Sequence, residues 1–486
     1  MVNFKLLYKI LGSLLFLETA FLICCLIIAL SYGESDSLAF LITILTTVCV
    51  ASILKFVGRD AENRMGRRDA YLVVTLSWII FSLLGALPFL ISGYMDNFTN
   101  AFFETMSGFT TTGASIIDNI DSYPHGLLFW RSTTHWIGGL GIVFFTVALL
   151  PSLVGGGSVK VFAAEATGPI KQKLHPRLST SSKWILTVYT LLTLSCAIAY
   201  WIGGMGVFDA VTHSMSTTAT GGFSTHSASI SYFNSPTIEW ISTFFMLVAG
   251  VNYSLIYLSF FNGGLKKLLN DTEFKFYTFV VIVASAFICY MIMIENGYDF
   301  SNAIRHSFFQ VAAFITTTGF YSNDAALWPR ITWVVLALCM FSGACAGSTT
   351  GGFKCVRSVM VLKIIQNQIK LIIHPKAVFP IKVGGQNVHS SVTSILLAFL
   401  SLYIILVVIS SVLFIMMGIE DTNAITLSVS SMGNVGPVLG NDLGPTSSLN
   451  SLPDAAKWLS SALMLTGRLE VFSVMVLFSP AFWKEY

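Results

Sequence analysis

The chain has 486 residues, of which 54% are hydrophobic and only 10% are charged. A soluble domain carries roughly 25% charged residues, so the composition excludes a water-soluble globular protein and predicts one large helical membrane domain. The net charge of +3 gives no sign of nucleic-acid binding. The eight cysteines lie almost wholly within apolar runs and form no CxxC pair, which indicates buried thiols rather than metal ligands.

Ten segments are apolar and long enough to cross a bilayer core, which needs about 20 residues in a helix. They are approximately 10–31, 38–57, 70–95, 127–151, 184–207, 238–264, 275–294, 331–353, 391–419 and 456–483. Lys and Arg concentrate in connecting segments on one side: 55–69, 155–183, 265–275 and 354–389. The positive-inside rule then predicts a multi-pass protein with both termini in the cytoplasm.

A polar, glycine-containing stretch recurs four times on the opposite, acid-rich side. The copies are "FTTTGAS" (109–115), "TATGGFS" (218–224), "ITTTGFYS" (315–322) and "GNVGPVLG" (433–440). About ten residues before each copy suit a helix of roughly 15 Å, too short to span the membrane. Each unit is therefore predicted to be a span, a short helix, a polar turn and a second span.

Irregular backbone is tolerated at membrane depth only where protein buries it or where it lines water. Four such stretches around one axis would form a ring of carbonyl oxygens, which replaces the hydration shell of a cation as in potassium filters. The predicted ion-binding residues are Thr111, Thr112, Gly113, Thr220, Gly221, Gly222, Thr317, Thr318, Gly319, Asn434, Val435 and Gly436. Glycine allows the backbone to turn with unusual φ close to the pore.

The predicted fold is an all-α integral membrane protein with a pseudo-four-fold pore. Two N-terminal transmembrane helices precede four helix–pore-loop–helix units. The expected boundaries are 1–66 for the two extra helices, then 67–180, 181–270, 271–385 and 386–486 for the units.

With these motifs, the chain resembles the Trk/Ktr/HKT superfamily of cation transport proteins, and within it the bacterial Trk-type pore subunits, over essentially its whole length. The resemblance implies potassium uptake across the bacterial inner membrane, without enzymatic activity or any cofactor besides K⁺ in the filter. Some relatives carry serine at the first filter position and favour sodium, so Gly113 implies potassium. One glycine per unit predicts modest K⁺ over Na⁺ selectivity, with Rb⁺ and Cs⁺ also permeant. Asn434-Val435 departs from the threonine pattern of the other units.

The stretch "FSGACAGSTTGGFKC" (341–355) is too rich in glycine for a stable helix, since each Gly costs about 1 kcal/mol relative to Ala. A close helix-packing seam is the alternative; a phosphate loop is excluded because no Lys-Ser/Thr pair follows the glycines. The resemblance implies an intramembrane gating loop beneath the filter. Its residues are Gly343, Ala344, Cys345, Ala346, Gly347, Ser348, Thr349, Thr350, Gly351 and Gly352.

Arg468 lies about halfway along the last predicted span, where a charge is costly and normally faces a cavity or a partner. The alternatives are a structural ion pair and, as the resemblance implies, a barrier to cations that projects into the pore near the loop.

Five other ionisable residues are expected to brace the short helices more often than to touch the ion path: Glu18, Glu104, His213, Arg305 and His306.

The positive charge of segment 354–389 has two explanations: it reflects positive-inside topology alone, or it forms a docking face for a partner. The resemblance implies a homodimer in membrane lipid, opened by cytosolic nucleotide-binding subunits of the TrkA-like type.

Two other functions compete with a channel-like pore. A secondary transporter coupling potassium to protons or sodium predicts inverted repeats, and an intramembrane enzyme needs a nucleophile set that the sequence does not suggest.

Overall fold

The computed structural model describes residues 2–62, 65–149, 178–261, 264–377, 379–383, 386–388 and 390–484. Within them most of the chain is helical. The helices are α1 (Phe4–Tyr32), α2 (Ser37–Val57), α3 (Arg67–Gly85), α4 (Leu87–Ile91), α5 (Phe98–Phe109), α6 (His125–Leu149), α7 (Leu178–Ile202), α8 (Val207–Thr218), α9 (Pro236–Ala249), α10 (Tyr253–Phe261), α11 (Lys266–Asn270), α12 (Thr272–Glu295), α13 (Phe300–Ile315), α14 (Arg330–Ser342), α15 (Cys355–Ile373), α16 (Ser390–Met416), α17 (Asp421–Gly433), α18 (Asp454–Arg468), α19 (Phe472–Met475) and α20 (Pro480–Trp483).

Short elements connect these helices. The 3₁₀ turns are Ile120–Ser122, Ser229–Phe233, Ala325–Leu327 and Val476–Phe478. Two strands of two residues each, β1 (Lys382–Val383) and β2 (Gln386–Asn387), pair antiparallel.

Six helical stretches in the described residues are long and apolar enough to cross a membrane. They are Phe4–Tyr32, Ser37–Val57, Arg68–Ile91, Trp184–Ile202, Thr272–Glu295 and Val392–Met416. Large apolar side chains on these helices are exposed, for example Leu45 and Phe279. Such exposure suits contact with lipid, where it carries no penalty. The predicted all-α membrane fold is confirmed.

The predicted second span of every unit, in contrast, is a broken helix, so four of the ten predicted spans are wrong as continuous helices: 127–151, 238–264, 331–353 and 456–483. The breaks lie at Gly141, between Ala249 and Tyr253 (a 96° bend), between Ser342 and Cys355, and after Arg468 (a 109° bend). Residues 150–151 and 262–263 of these predicted spans lie outside the described residues. Hydropathy did not reveal the breaks because apolar residues flank most of them on both sides.

The helices are arranged in one rotational order. The first short helix α5 packs against α3 and α6 of its own unit, and α8, α13 and α17 pack in the same way against α7, α12 and α16. The second helix of each unit then packs against the short helix of the next: α6 on α8, α9 on α13, α14 on α17, and α18 back on α5. The four units therefore close into a ring. Outside the first unit, α1 packs on α3 and α6, and α2 packs on α4 and α3.

Candidate functional site

The four short helices, here called the pore helices (α5, α8, α13 and α17), each end in a turn of the same backbone conformation. The first residue of each turn is left-handed: Thr111 (φ 51°), Thr220 (φ 53°), Thr317 (φ 53°) and Asn434 (φ 55°). Such φ values are uncommon for residues with a side chain and persist only where the surrounding structure imposes them. The fourth unit thus repeats the backbone of the other three although its sequence differs.

The middle residue of each turn donates its N–H back into the pore helix. The four bonds are Thr112 N–H to Ser107 O (2.9 Å), Gly221 N–H to Ser216 O (2.9 Å), Thr318 N–H to Ala313 O (2.8 Å) and Val435 N–H to Ser430 O (3.0 Å). With the N–H groups held by the helices, the carbonyl groups of these residues are free to face the neighbouring unit.

The glycine that follows each middle residue touches the next unit. A Cβ on Gly113 would lie 1.9 Å from Gly221 O, and one on Gly222 would lie 1.9 Å from Thr318 O. Likewise, a Cβ on Gly319 would lie 2.3 Å from Val435 O, and one on Gly436 would lie 2.5 Å from Thr112 O. The contacts run from unit one to four and return to one, so the four turns that contain the twelve residues predicted for the filter adjoin one another in a closed ring.

A polar pocket of about 100 Å³ opens above this ring, on the side of the glycines. All four ring glycines line it together with oxygen-bearing side chains, among them Ser115, Asp118, Ser227, Tyr321 and Ser448. Arg131, which is paired with Glu104, also lines the pocket, so the oxygen-bearing side chains are the groups that a hydrated cation near the ring could contact.

On the opposite side, the segment between α14 and α15 lies directly beneath the ring. The Gly351 N–H donates to Thr317 Oγ1 at 2.8 Å, and Thr349 Oγ1 donates to Thr218 O at 3.0 Å. A Cβ on Gly351 would lie 2.2 Å from Gly433 O. Residues 343–352, predicted as the gating loop, therefore contact the second, third and fourth units below the filter residues.

Arg468 is the last residue of α18 and also reaches this loop. Its Nη1 donates to Thr349 O at 2.7 Å and its Nη2 to Gly138 O at 2.5 Å. The sequence left a structural ion pair as an alternative for Arg468. Glu470, its near neighbour, forms an ion pair with Arg357 of α15.

Four of the five residues considered as braces do brace the pore helices. Glu104 of the first pore helix pairs with buried Arg131 at 2.9 Å, and Arg131 also donates to Ser224 O at 2.9 Å in the second unit. His213 Nε2 lies 3.0 Å from Ser224 Oγ.

In the third unit, Arg305 and His306 lie 3.1 and 3.3 Å from the Glu239 carboxylate. The fifth residue, Glu18, is wholly buried in α1. Among the described residues, neither of its carboxylate oxygens has a hydrogen-bond partner.

Sequence reasoning did not identify Glu239, Arg357 or Glu273 as functional candidates. Glu239 contacts the third pore helix and Glu273 contacts the loop. Arg357 pairs with Glu470 and donates to Phe353 O, just after the loop. The only sequence feature that could have pointed to these residues is a charge next to an apolar run. Their partners are distant in sequence, so local patterns do not predict the pairing.

Comparisons with known proteins agree with this architecture. A family model described as the cation transport protein TrkH matches residues 36–485. The Trk system potassium uptake protein TrkH of Salmonella typhimurium is 37% identical over 487 residues, covering 100% of both chains. The Trk system potassium uptake protein TrkG of Escherichia coli (strain K12) is 34% identical, over 98% of this chain and 97% of the relative.

Among solved structures, the crystal structure of the potassium transporter TrkH from Vibrio parahaemolyticus matches with a TM-score of 0.89 and 33% identity. The match covers 99% of this chain and 100% of the other. The predicted resemblance is confirmed: the chain is a multi-pass membrane protein that belongs to the TrkH family of cation transport proteins.

Proposed function

We propose that this chain takes up potassium through a channel-like pore whose filter is the ring of twelve residues. The observation that carries the proposal is the closed sequence of contacts between each ring glycine and the carbonyl of the next unit. A ring of main-chain oxygens can replace the water lost by a cation. The pore helices direct their C-terminal ends, which carry partial negative charge, toward the same axis.

The proposed gate is the loop 343–352 together with Arg468. The contacts of Gly351 and Thr349 with the lower edge of the ring leave the loop across the exit of the proposed ion path. The guanidinium charge of Arg468 adds an electrostatic barrier to cations at the same level. Ions pass when the loop and Arg468 move aside.

One glycine per unit gives fewer stacked ion sites than a longer filter, so the proposed selectivity for K⁺ over Na⁺ is modest, with Rb⁺ and Cs⁺ permeant. The test is cation uptake by potassium-uptake-deficient bacteria that express the wild type or a variant with serine at one ring glycine. We expect Gly113→Ser to lower K⁺ uptake, because its Cβ would lie 1.9 Å from Gly221 O, and to lower the K⁺/Na⁺ ratio of the uptake that remains. Strict exclusion of Rb⁺ and Na⁺ by the wild type contradicts the proposal.

The competing function is a potassium–proton or potassium–sodium symporter. The packing of each unit on the next in one rotational sense favours a pore over inverted repeats, since inverted halves would reverse the order. Voltage-clamped proteoliposomes separate the two when potassium is the only permeant cation present. A pore then reverses current at the potassium equilibrium potential at any pH. A proton symporter shifts this potential with the pH gradient, and a sodium symporter carries no current without sodium.

We further propose the bacterial inner membrane as the location, with both termini in the cytoplasm, and a homodimer regulated by cytosolic TrkA-like nucleotide-binding subunits. The helix α15 continues from the loop and exposes Ile365 (51%) and Ile372 (80%), which offers a contact surface next to the gate. Co-purification of such subunits with the wild type, and its loss on Ile372→Asp, tests the docking. Reporter fusions at both termini test the orientation.

A further inference from the structure

Glu273 lies outside both the ring and the loop, at the second position of α12, the first long helix of the third unit. Its Oε1 accepts two main-chain hydrogen bonds, from Ala346 N–H at 2.6 Å and from Val356 N–H at 3.0 Å. Ala346 belongs to the entering arm of the loop and Val356 to the first turn of the helix that leaves it. One carboxylate oxygen thus holds both ends of the loop.

The two arms of the loop also bind each other. The Phe353 N–H donates to Phe341 O at 3.0 Å, and the Cys355 N–H donates to Ala344 O at 2.9 Å. These bonds keep the base of the loop narrow, but they join the segment only to itself. The Glu273 carboxylate ties this base by hydrogen bonds to the first helix of the same unit, which also packs against α14 and α15.

The position of the tip also depends on this base. Outside the base, the entering arm bonds to the second unit, where Cys345 N–H donates to Gly250 O and Tyr253 N–H donates to Gly347 O, both at 3.0 Å. At the tip, the Gly351 N–H and the Thr349 hydroxyl bond to the turns of two different units. If the base shifts, these contacts cannot all be kept. A carboxyl oxygen has two lone pairs, so Glu273 Oε1 can accept both N–H groups at once.

From this geometry, we infer that Glu273 is a positioning residue that holds the base of the loop and thereby keeps its tip beneath the ring. The consequence for ion flow rests on the proposed function, in which the loop is the gate. Glu273 does not touch the ion path; it acts through the main chain of Ala346 and Val356.

The test compares Glu273→Ala with Glu273→Gln in the full-length protein reconstituted in lipid. The amide oxygen of Gln can accept the same two N–H bonds, whereas Ala accepts neither. Glu295→Ala, at the exposed far end of the same helix, is the matched control. Monodisperse elution of each variant after solubilisation confirms that it is folded.

The first readout is the alkylation rate of the buried loop thiols Cys345 and Cys355 by N-ethylmaleimide, measured by peptide mass mapping. We expect at least a five-fold rise in Glu273→Ala, and rates within two-fold of wild type in Glu273→Gln and Glu295→Ala. Buried Cys196 of α7 serves as the internal reference and should not change. Unchanged loop alkylation in Glu273→Ala, or no rescue by Gln, overturns the inference.

The second readout is basal Rb⁺ flux into proteoliposomes, which we expect to rise several-fold in Glu273→Ala only. The two readouts separate the inference from the proposed gate. A rise in alkylation without a rise in flux supports the anchoring role of Glu273 and counts against the loop as the gate.

Discussion

Arg468 and Thr349 come from different pore units, and the Arg468 guanidinium donates a 2.7 Å hydrogen bond to the Thr349 carbonyl oxygen. The same guanidinium reaches Gly138 O of the first unit at 2.5 Å. One side chain thus joins the loop of the third unit, the broken helix of the fourth and the second helix of the first. If the loop moves, it must either break its hydrogen bond to Arg468 or take the Arg468 side chain with it.

Replacing Arg468 by alanine is expected to raise basal potassium flux by roughly ten-fold. A hydrogen bond to a charged group contributes about 1.5–3 kcal/mol, and a shift of about 1.4 kcal/mol changes a population ten-fold. The variant also removes the positive charge from the proposed ion path. Flux is measured with ⁸⁶Rb⁺ in proteoliposomes at matched protein content.

Arg468→Lys is the informative control for that prediction. Lysine keeps the charge but lacks the planar fork that spans two carbonyl oxygens. We expect its flux to lie between those of the wild type and the alanine variant. Flux in Arg468→Ala that is equal to or below wild type contradicts a closing role for this residue.

A methyl group on a ring glycine is expected to abolish most of the flux. In Gly222→Ala the new Cβ would lie 1.9 Å from Thr318 O, a main-chain atom that cannot rotate away. We expect at least a ten-fold loss of potassium uptake.

The control for the glycine variant is Gly297→Ala. Gly297 has a similar backbone (φ 70°), but a Cβ there meets nothing within 4 Å. It therefore carries the same conformational strain without the clash, and uptake should stay near wild type. Equal loss in both variants would mean that backbone strain, not closure of the ring, explains the effect.

The buried pair of Glu104 and Arg131 is expected to stabilise the folded protein strongly. The side chains are 0% and 2% exposed and 2.9 Å apart. Removing one partner leaves an unpaired buried charge, which typically costs about 3–5 kcal/mol. Arg131→Ala should lower the melting temperature and the yield of monodisperse protein, and Glu104→Ala combined with Arg131→Met should recover part of both. Stability of Arg131→Ala equal to wild type contradicts the bracing role.

The sequence was sufficient to predict the fold, because a four-fold repeat of polar turns in an apolar chain has few physical solutions. The pore helices and the glycines followed from that repeat. The break in the third unit was also predictable, since "GACAGSTTGG" contains too many small residues for a stable helix.

The breaks in the other units were not predictable from composition. In the fourth, Glu470 and Val471 adopt φ of 55° and 52°, values that only surrounding contacts can impose on such residues. The contacts of Glu273 with the loop could not be predicted either, for a related reason. Glu273 and Ala346 are 73 positions apart, so no local pattern indicates that they meet.

His226 links two units on the outer side, and its protonation is expected to make stability depend on pH. Its Nδ1 lies 2.8 Å from Asp121 of the first unit, and its Nε2 lies 3.5 Å from Asp209 of the second pore helix. Burial alone lowers the pKa of His226, but the Asp209 and Asp121 carboxylates beside its two ring nitrogens outweigh this effect and raise the pKa above its ordinary value.

A group whose pKa is raised by folding stabilises the folded state when protonated. The contribution of His226 is therefore complete below the ordinary histidine pKa of about 6.5 and is lost as the pH rises through the raised value. We expect the melting temperature of the wild type to fall by a few degrees between about pH 6 and pH 8.5. In His226→Gln, which can still form a hydrogen bond but carries no charge, this part of the slope should disappear. Because Asp121 remains half-exposed, the effect is modest and should shrink in high salt. An identical pH slope in both proteins would show that the His226 charge does not join these units.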